Sequence, residues 1–98
     1  MDFSSIEDVR NRIDQIDSEL VKMIAQRSQC VKAAAAFKSD HSAVRAPDRV
    51  QQVIDKVSKQ ATEIGLPAGI IEKVYRTMID AFIDYELRQL DELQQEKC

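Results

Sequence analysis

Residues 5–38 read SIEDVRNRIDQIDSELVKMIAQRSQCVKAAAAFK, a stretch with neither Gly nor Pro. Its apolar side chains fall at Ile6, Val9, Ile13, Ile16, Leu20, Met23, Cys30 and Phe37. That alternation of three and four lays one stripe along an α-helix. At 1.5 Å per residue the helix extends about 50 Å, more than the diameter of a globule of this chain length. A helix so long, apolar along one face, needs another chain to cover it. Ser4 or Ser5, followed by Glu7 and Asp8, supplies its N-cap and acidic first turn.

Working outward, Ser39 to Ala46 lose the periodicity and read as a loop. Pro47 then opens a second helix at the first-turn position that proline tolerates, and Ala46 is pushed out of the helical region. The stripe Val50, Val53, Ile54, Val57, Ala61, Ile64 carries this helix to residue 64, where Gly65 caps it and Pro67 blocks continuation. A third helix is predicted over 68–93, with Ile71, Val74, Tyr75, Met78, Phe82, Tyr85 and Leu93 on or near one face, and fraying from Gln94 onward. The expected architecture is one all-α domain over 1–98 with three helices, at about 5–38, 47–64 and 68–93. Composition agrees: 98 residues hold only two Gly and two Pro, with 44% hydrophobic and 32% charged residues, which excludes disordered and strand-and-turn classes.

Several function classes fall away. The net charge of -3 argues against nucleic acid, because a phosphate-binding domain shows a basic face. No apolar run approaches the roughly 18 residues of a membrane span, and the first residues lack a basic and an apolar leader region; the expected location is cytoplasmic. Cys30 and Cys98 read as free thiols. His41 has no second His or Cys at ligand spacing and reads as an exposed loop residue, so no metal site is expected.

The informative positions are charges that interrupt apolar faces. The heptad series Ile13, Leu20, Arg27, Ala34 carries a guanidinium inside the stripe, which is unfavourable unless an anion answers it. Lys38, 11 residues on, falls about 20° from Arg27 around a continuous helix and about 16 Å along it, so the two can flank a small anion. Arg10 is 17 residues from Arg27, about 25 Å along the axis, and cannot reach that ligand from its own chain. In an antiparallel pair of such helices, Arg10 of one protomer approaches Arg27 of the other. On the third helix the apolar series leads to Glu86, where burial favours the neutral, donating form unless a cation sits close. Arg49, in a helix first turn, opposes the dipole and calls for a compensating partner. Each has a plainer account. Arg27 can pair with Asp17, Glu19 or a carboxylate of another helix, Lys38 can be a solvated last turn, and Glu86 can pair with an arginine in a helix interface.

Taken together, Val9 to Asp17, Leu20 to Arg27, Val31 to Ala34, Phe37-Lys38, Ala46 to Val50, Glu63 to Leu66 and Tyr75 to Leu87 resemble the all-helical chorismate mutase family, including its isochorismate-pyruvate lyase branch. The resemblance covers nearly the whole chain, and the ordered set Arg10, Arg27, Lys38, Arg49, Glu86 is its most specific part. It implies an intertwined helical homodimer with two shared sites, a pericyclic reaction without metal or organic cofactor, and a small dicarboxylate substrate, chorismate or isochorismate. Carried over by position, Arg10 of the second protomer and Arg27 hold the substrate carboxylates. Lys38 approaches the ether oxygen and a neighbouring carboxylate, Arg49 closes the site, and Glu86 faces the ether oxygen. Two positions depart from the mutase pattern. Val50 stands where many members have a carboxylic residue, and Ala46 where an acidic one is usual, as in the lyase branch. Chorismate mutase is the leading expectation, then the lyase that yields salicylate and pyruvate, with an aminodeoxychorismate mutase as a related possibility. The rival from another class is a non-catalytic helical dimerisation module.

Overall fold

The computed structural model describes residues 2–96, with side chains through Glu92. The described residues form four helices and no strand: α1 (Ile6–Ala35), α2 (His41–Arg45), α3 (Pro47–Glu63) and α4 (Ala68–Glu96). Three are long and α2 is barely more than one turn, so the all-α expectation holds. The chain divides into two compact units between Val31 and Lys32.

The first unit is dominated by α1. Ser5 caps it, its hydroxyl oxygen accepting from the Asp8 amide at 3.1 Å. The Asp8 carboxylate in turn accepts from the Ser4 hydroxyl and the Ser4 amide. The Ser4 hydroxyl holds the Asp8 carboxyl below its ordinary value, helped by the Ser4 amide. No residue of α1 is buried within the single chain. The stripe stands open, with Ile6 61%, Leu20 52% and Met23 59% exposed. Apolar area of that kind normally marks a contact surface.

In the second unit α3 and α4 pack together and α2 lies against α4. Among the described residues, Ile54 and Ala61 of α3, Ile79 of α4 and Val44 of α2 are its buried apolar residues. The end of α3 follows from Gly65, whose φ of 83° suits a residue without Cβ. The Gly65 amide donates to the Thr62 carbonyl at 3.2 Å and the Leu66 amide to the Ala61 carbonyl at 2.8 Å, which pairs carbonyls that the helix end would leave open. The helix stops at Glu63, one residue short of expectation, while α4 continues to Glu96 instead of ending at 93. The Leu93 side chain and Cys98 lie outside the described residues.

Two expectations need correction. The first helix ends at Ala35, not Lys38. Amides of Ala36, Phe37 and Lys38 donate to carbonyls three residues back, at 3.3, 3.0 and 3.1 Å, so the chain tightens and leaves the α path. Phe37, expected on the stripe, is 92% exposed. The face expected to be shared by Arg27 and Lys38 presupposed one unbroken helix, and Lys38 lies beyond its end. Secondly, residues 39–46 are not all loop. The Asp40 carboxylate accepts from the Ala43 amide at 2.8 Å, capping α2, and Val44 is buried.

Ala46 joins α2 to α3 with φ 35° and ψ 63°, in the left-handed region where a Cβ costs about 1–2 kcal/mol. Glycine removes that strain but frees the unfolded chain by about 0.4–1 kcal/mol. Ala46→Gly is therefore expected to raise stability by up to about 1 kcal/mol in urea unfolding, and a loss of stability would contradict the strained junction.

Candidate active site

The inward stripe of α4 passes from half-buried Tyr75 through buried Ile79 and half-buried Phe82 to Glu86, at helical spacings of three and four. Glu86 is the one buried charged residue among the described residues, only 6% exposed. A carboxylate so placed needs a cation or a set of donors, and Lys38 answers it. The Lys38 ammonium donates to Oε2 at 3.1 Å and to Oε1 at 3.3 Å, with its side chain 24% exposed. The tight turns that end α1 bring Lys38 to this place. An ammonium has three N–H groups. With two directed at Glu86, a third remains to meet an incoming acceptor.

The other candidate residues are distributed as follows. Arg49 sits exposed in the first turn of α3, and its Nη1 donates to Gln52 Oε1 at 3.5 Å. Arg27 is half-buried on α1, and Arg10 is exposed near the start of the same helix. Their separation of about 25 Å along α1 keeps one chain's Arg10 from any small ligand held by its own Arg27. Of the five candidates, the structure brings Lys38 and Glu86 together in a described contact. The exception foreseen for Glu86, a cation close by, is the arrangement found.

One contact beside the site was not legible beforehand. His41 Nε2 lies 2.8 Å from Asp91 Oδ1, three residues after Lys38 in the chain and five after Glu86 on α4. His41 is exposed as expected, yet it is not an idle loop residue. The Asp40 side chain, which caps the turn that His41 begins, was the available hint of order.

The sequence profile described as chorismate mutase type II matches residues 9–87. The chain is 32% identical to a Pseudomonas aeruginosa protein named isochorismate pyruvate lyase, over 89% of this chain and 86% of that one. It is 26% identical to a Methanocaldococcus jannaschii protein named chorismate mutase, over 89% of both. A secreted chorismate mutase of Mycolicibacterium smegmatis is 41% identical over 63% of this chain and 35% of its own length. The chain belongs to the chorismate mutase type II family, and with that to a family of enzymes. No helix among the described residues is long and apolar enough to cross a membrane.

Proposed function

We propose that the chain is a chorismate mutase working as a homodimer, converting chorismate to prephenate by stabilising charge on the breaking ether bond. The observation that carries this reading is the Lys38–Glu86 pair, an ammonium held at 3.1 Å by a buried carboxylate. In the Claisen rearrangement the ether C–O bond breaks ahead of C–C bond formation, and negative charge gathers on that oxygen. The remaining N–H of Lys38 donates to it. A donor fixed beforehand stabilises the transition state more than the ground state. Glu86 orients the ammonium and keeps it from turning toward solvent. Arg27 and the partner subunit's Arg10 hold the two substrate carboxylates, and Arg49 covers the bound ligand. Their grip keeps the enolpyruvyl arm over the ring, which lowers the entropic part of the barrier. The atoms of the substrate are only rearranged, so no nucleophile or cofactor takes part.

The exposed stripe Ile6, Ile13, Leu20 and Met23 of α1 supports a second copy as the covering partner, making residues 1–98 one functional domain that completes its sites on dimerisation. Such an apolar face is the kind that self-associates. Within this reading the protein works in the cytoplasm, in keeping with its free Cys30 thiol; fractionation of cells producing it checks that location.

A second reading has specific support. Val50 and Ala46 lack the carboxylates usual in mutases, and one relative bears the lyase name. Isochorismate carries its hydroxyl elsewhere on the ring, where a partner at Val50 is not needed. Purified protein offered chorismate and isochorismate separately distinguishes the two. Prephenate from chorismate is the expected result. Salicylate and pyruvate from isochorismate with negligible prephenate would replace the first reading by the second.

A further inference from the structure

Glu86 and Asp91 are five residues apart on α4, about 7.5 Å along the axis and about 140° around it. The chain from Lys38 to His41 meets both. Lys38 is pinned at Glu86 at 3.1 Å and His41 at Asp91 at 2.8 Å. A single pin is a pivot, whereas two pins at different heights and azimuths fix the direction of the segment between them. That segment needs fixing. It lies between the last α1 turn and a five-residue helix, and Val44 is the only residue among 38–46 that is buried. Both members of the second pin are half exposed, 54% and 53%, and a pair in that setting adds little to global stability. Its effect is on position. A small local equilibrium matters at a reacting centre, because displacement of a catalytic group by about 1 Å can lower a rate by about 10²-fold.

We propose that His41 and Asp91 form a clasp that positions Lys38 for reaction, without touching the substrate themselves. This rests on the reading of Lys38 as the donor to the ether oxygen. The clasp closes when His41 Nε2–H donates to Asp91 Oδ1, and it lays residues 38–41 across α4 so that the ammonium stays aligned on Glu86. When it opens, Lys38 keeps its partner but swings about it, and the N–H meant for substrate loses its aim. Substrate binding through the arginines is unaffected, so the consequence falls on kcat and not on KM.

The test compares His41→Ala, Asp91→Ala, the double variant and the exchanged pair His41→Asp/Asp91→His with the unaltered protein. Three readouts are taken: backbone amide hydrogen exchange, kcat and KM for chorismate, and melting temperature. Each single variant is expected to speed exchange across residues 38–46 by about fivefold, the range of an exposed ion pair, with α3 and α4 amides unchanged. kcat should fall about five- to tenfold with KM within twofold and melting temperature within about 2 °C. The double variant should be no worse than either single one, and the exchanged pair should recover most of the loss. Exchange and kcat at unaltered levels would overturn the clasp. So would additive losses, failure of the exchanged pair, or faster exchange throughout the protein. If the unaltered protein converts neither chorismate nor isochorismate, the functional reading fails, and local exchange alone then decides whether the clasp exists.

Discussion

Lys38→Ala is expected to lower kcat/KM for chorismate by about 10²–10³-fold, the loss typical when one preorganised donor to a developing oxyanion is removed. The larger part should fall on kcat, since the ammonium meets charge that exists mainly in the transition state. Stability also suffers, because Glu86 is 6% exposed and is left without its cation. Breaking a fully buried pair costs about 3–5 kcal/mol; with the Lys38 side chain 24% exposed, about 1–3 kcal/mol is the reasonable expectation. The companion variant Lys38→Met/Glu86→Gln separates the two effects. It removes the uncompensated charge and should restore most of the stability while turnover stays low. Recovery of turnover together with stability would show that Lys38 only supports the fold.

Arg27→Ala carries the second large effect. Arg27 is half-buried on α1, in a series otherwise occupied by Ile13, Leu20 and Ala34. As the grip on a substrate carboxylate, its removal should reduce kcat/KM by about 10²–10³-fold, within the range for truncating one member of a desolvated charge pair. Unfolding free energy should change by less than about 1 kcal/mol, as at most sites outside the core. A structural ion pair behaves in the opposite way, since its loss strands a charge and costs several kcal/mol. Urea unfolding and steady-state kinetics on the same preparation decide between them. A large loss of stability that accounts for the missing activity would return Arg27 to the fold.

Elements that end on local chemistry were open to reading from sequence. Pro47 and Gly65 bracket α3 to within one residue, because one fixes φ at the start and the other adopts a positive φ at the end. The end of α1 was not legible. Ala33 to Ala36 are excellent helix formers and Phe37 continues the stripe, so nothing local argues for the tightening that turns the chain at Ala35. α2 was hidden by its length, with Asp40 as the only cap signal. Within the site, Glu86 and Lys38 each stood out as a charge in the wrong place, but their pairing across 48 residues is a product of the fold. For the His41–Asp91 contact, 50 residues apart, the Asp40 cap hinted at order around His41 but nothing pointed to Asp91 as its partner.

The central claim is that cations from two copies of the chain assemble around one doubly anionic ring compound. Mixing two inactive variants tests it most directly. Arg10→Ala and Lys38→Ala homodimers should each be nearly inactive on chorismate. After unfolding together and refolding, half the dimers are mixed, and each mixed dimer has one site with both native residues, so activity should return to about a quarter of the unaltered level. If the mixture stays as inactive as its parents although mixed dimers have formed, the shared site is contradicted.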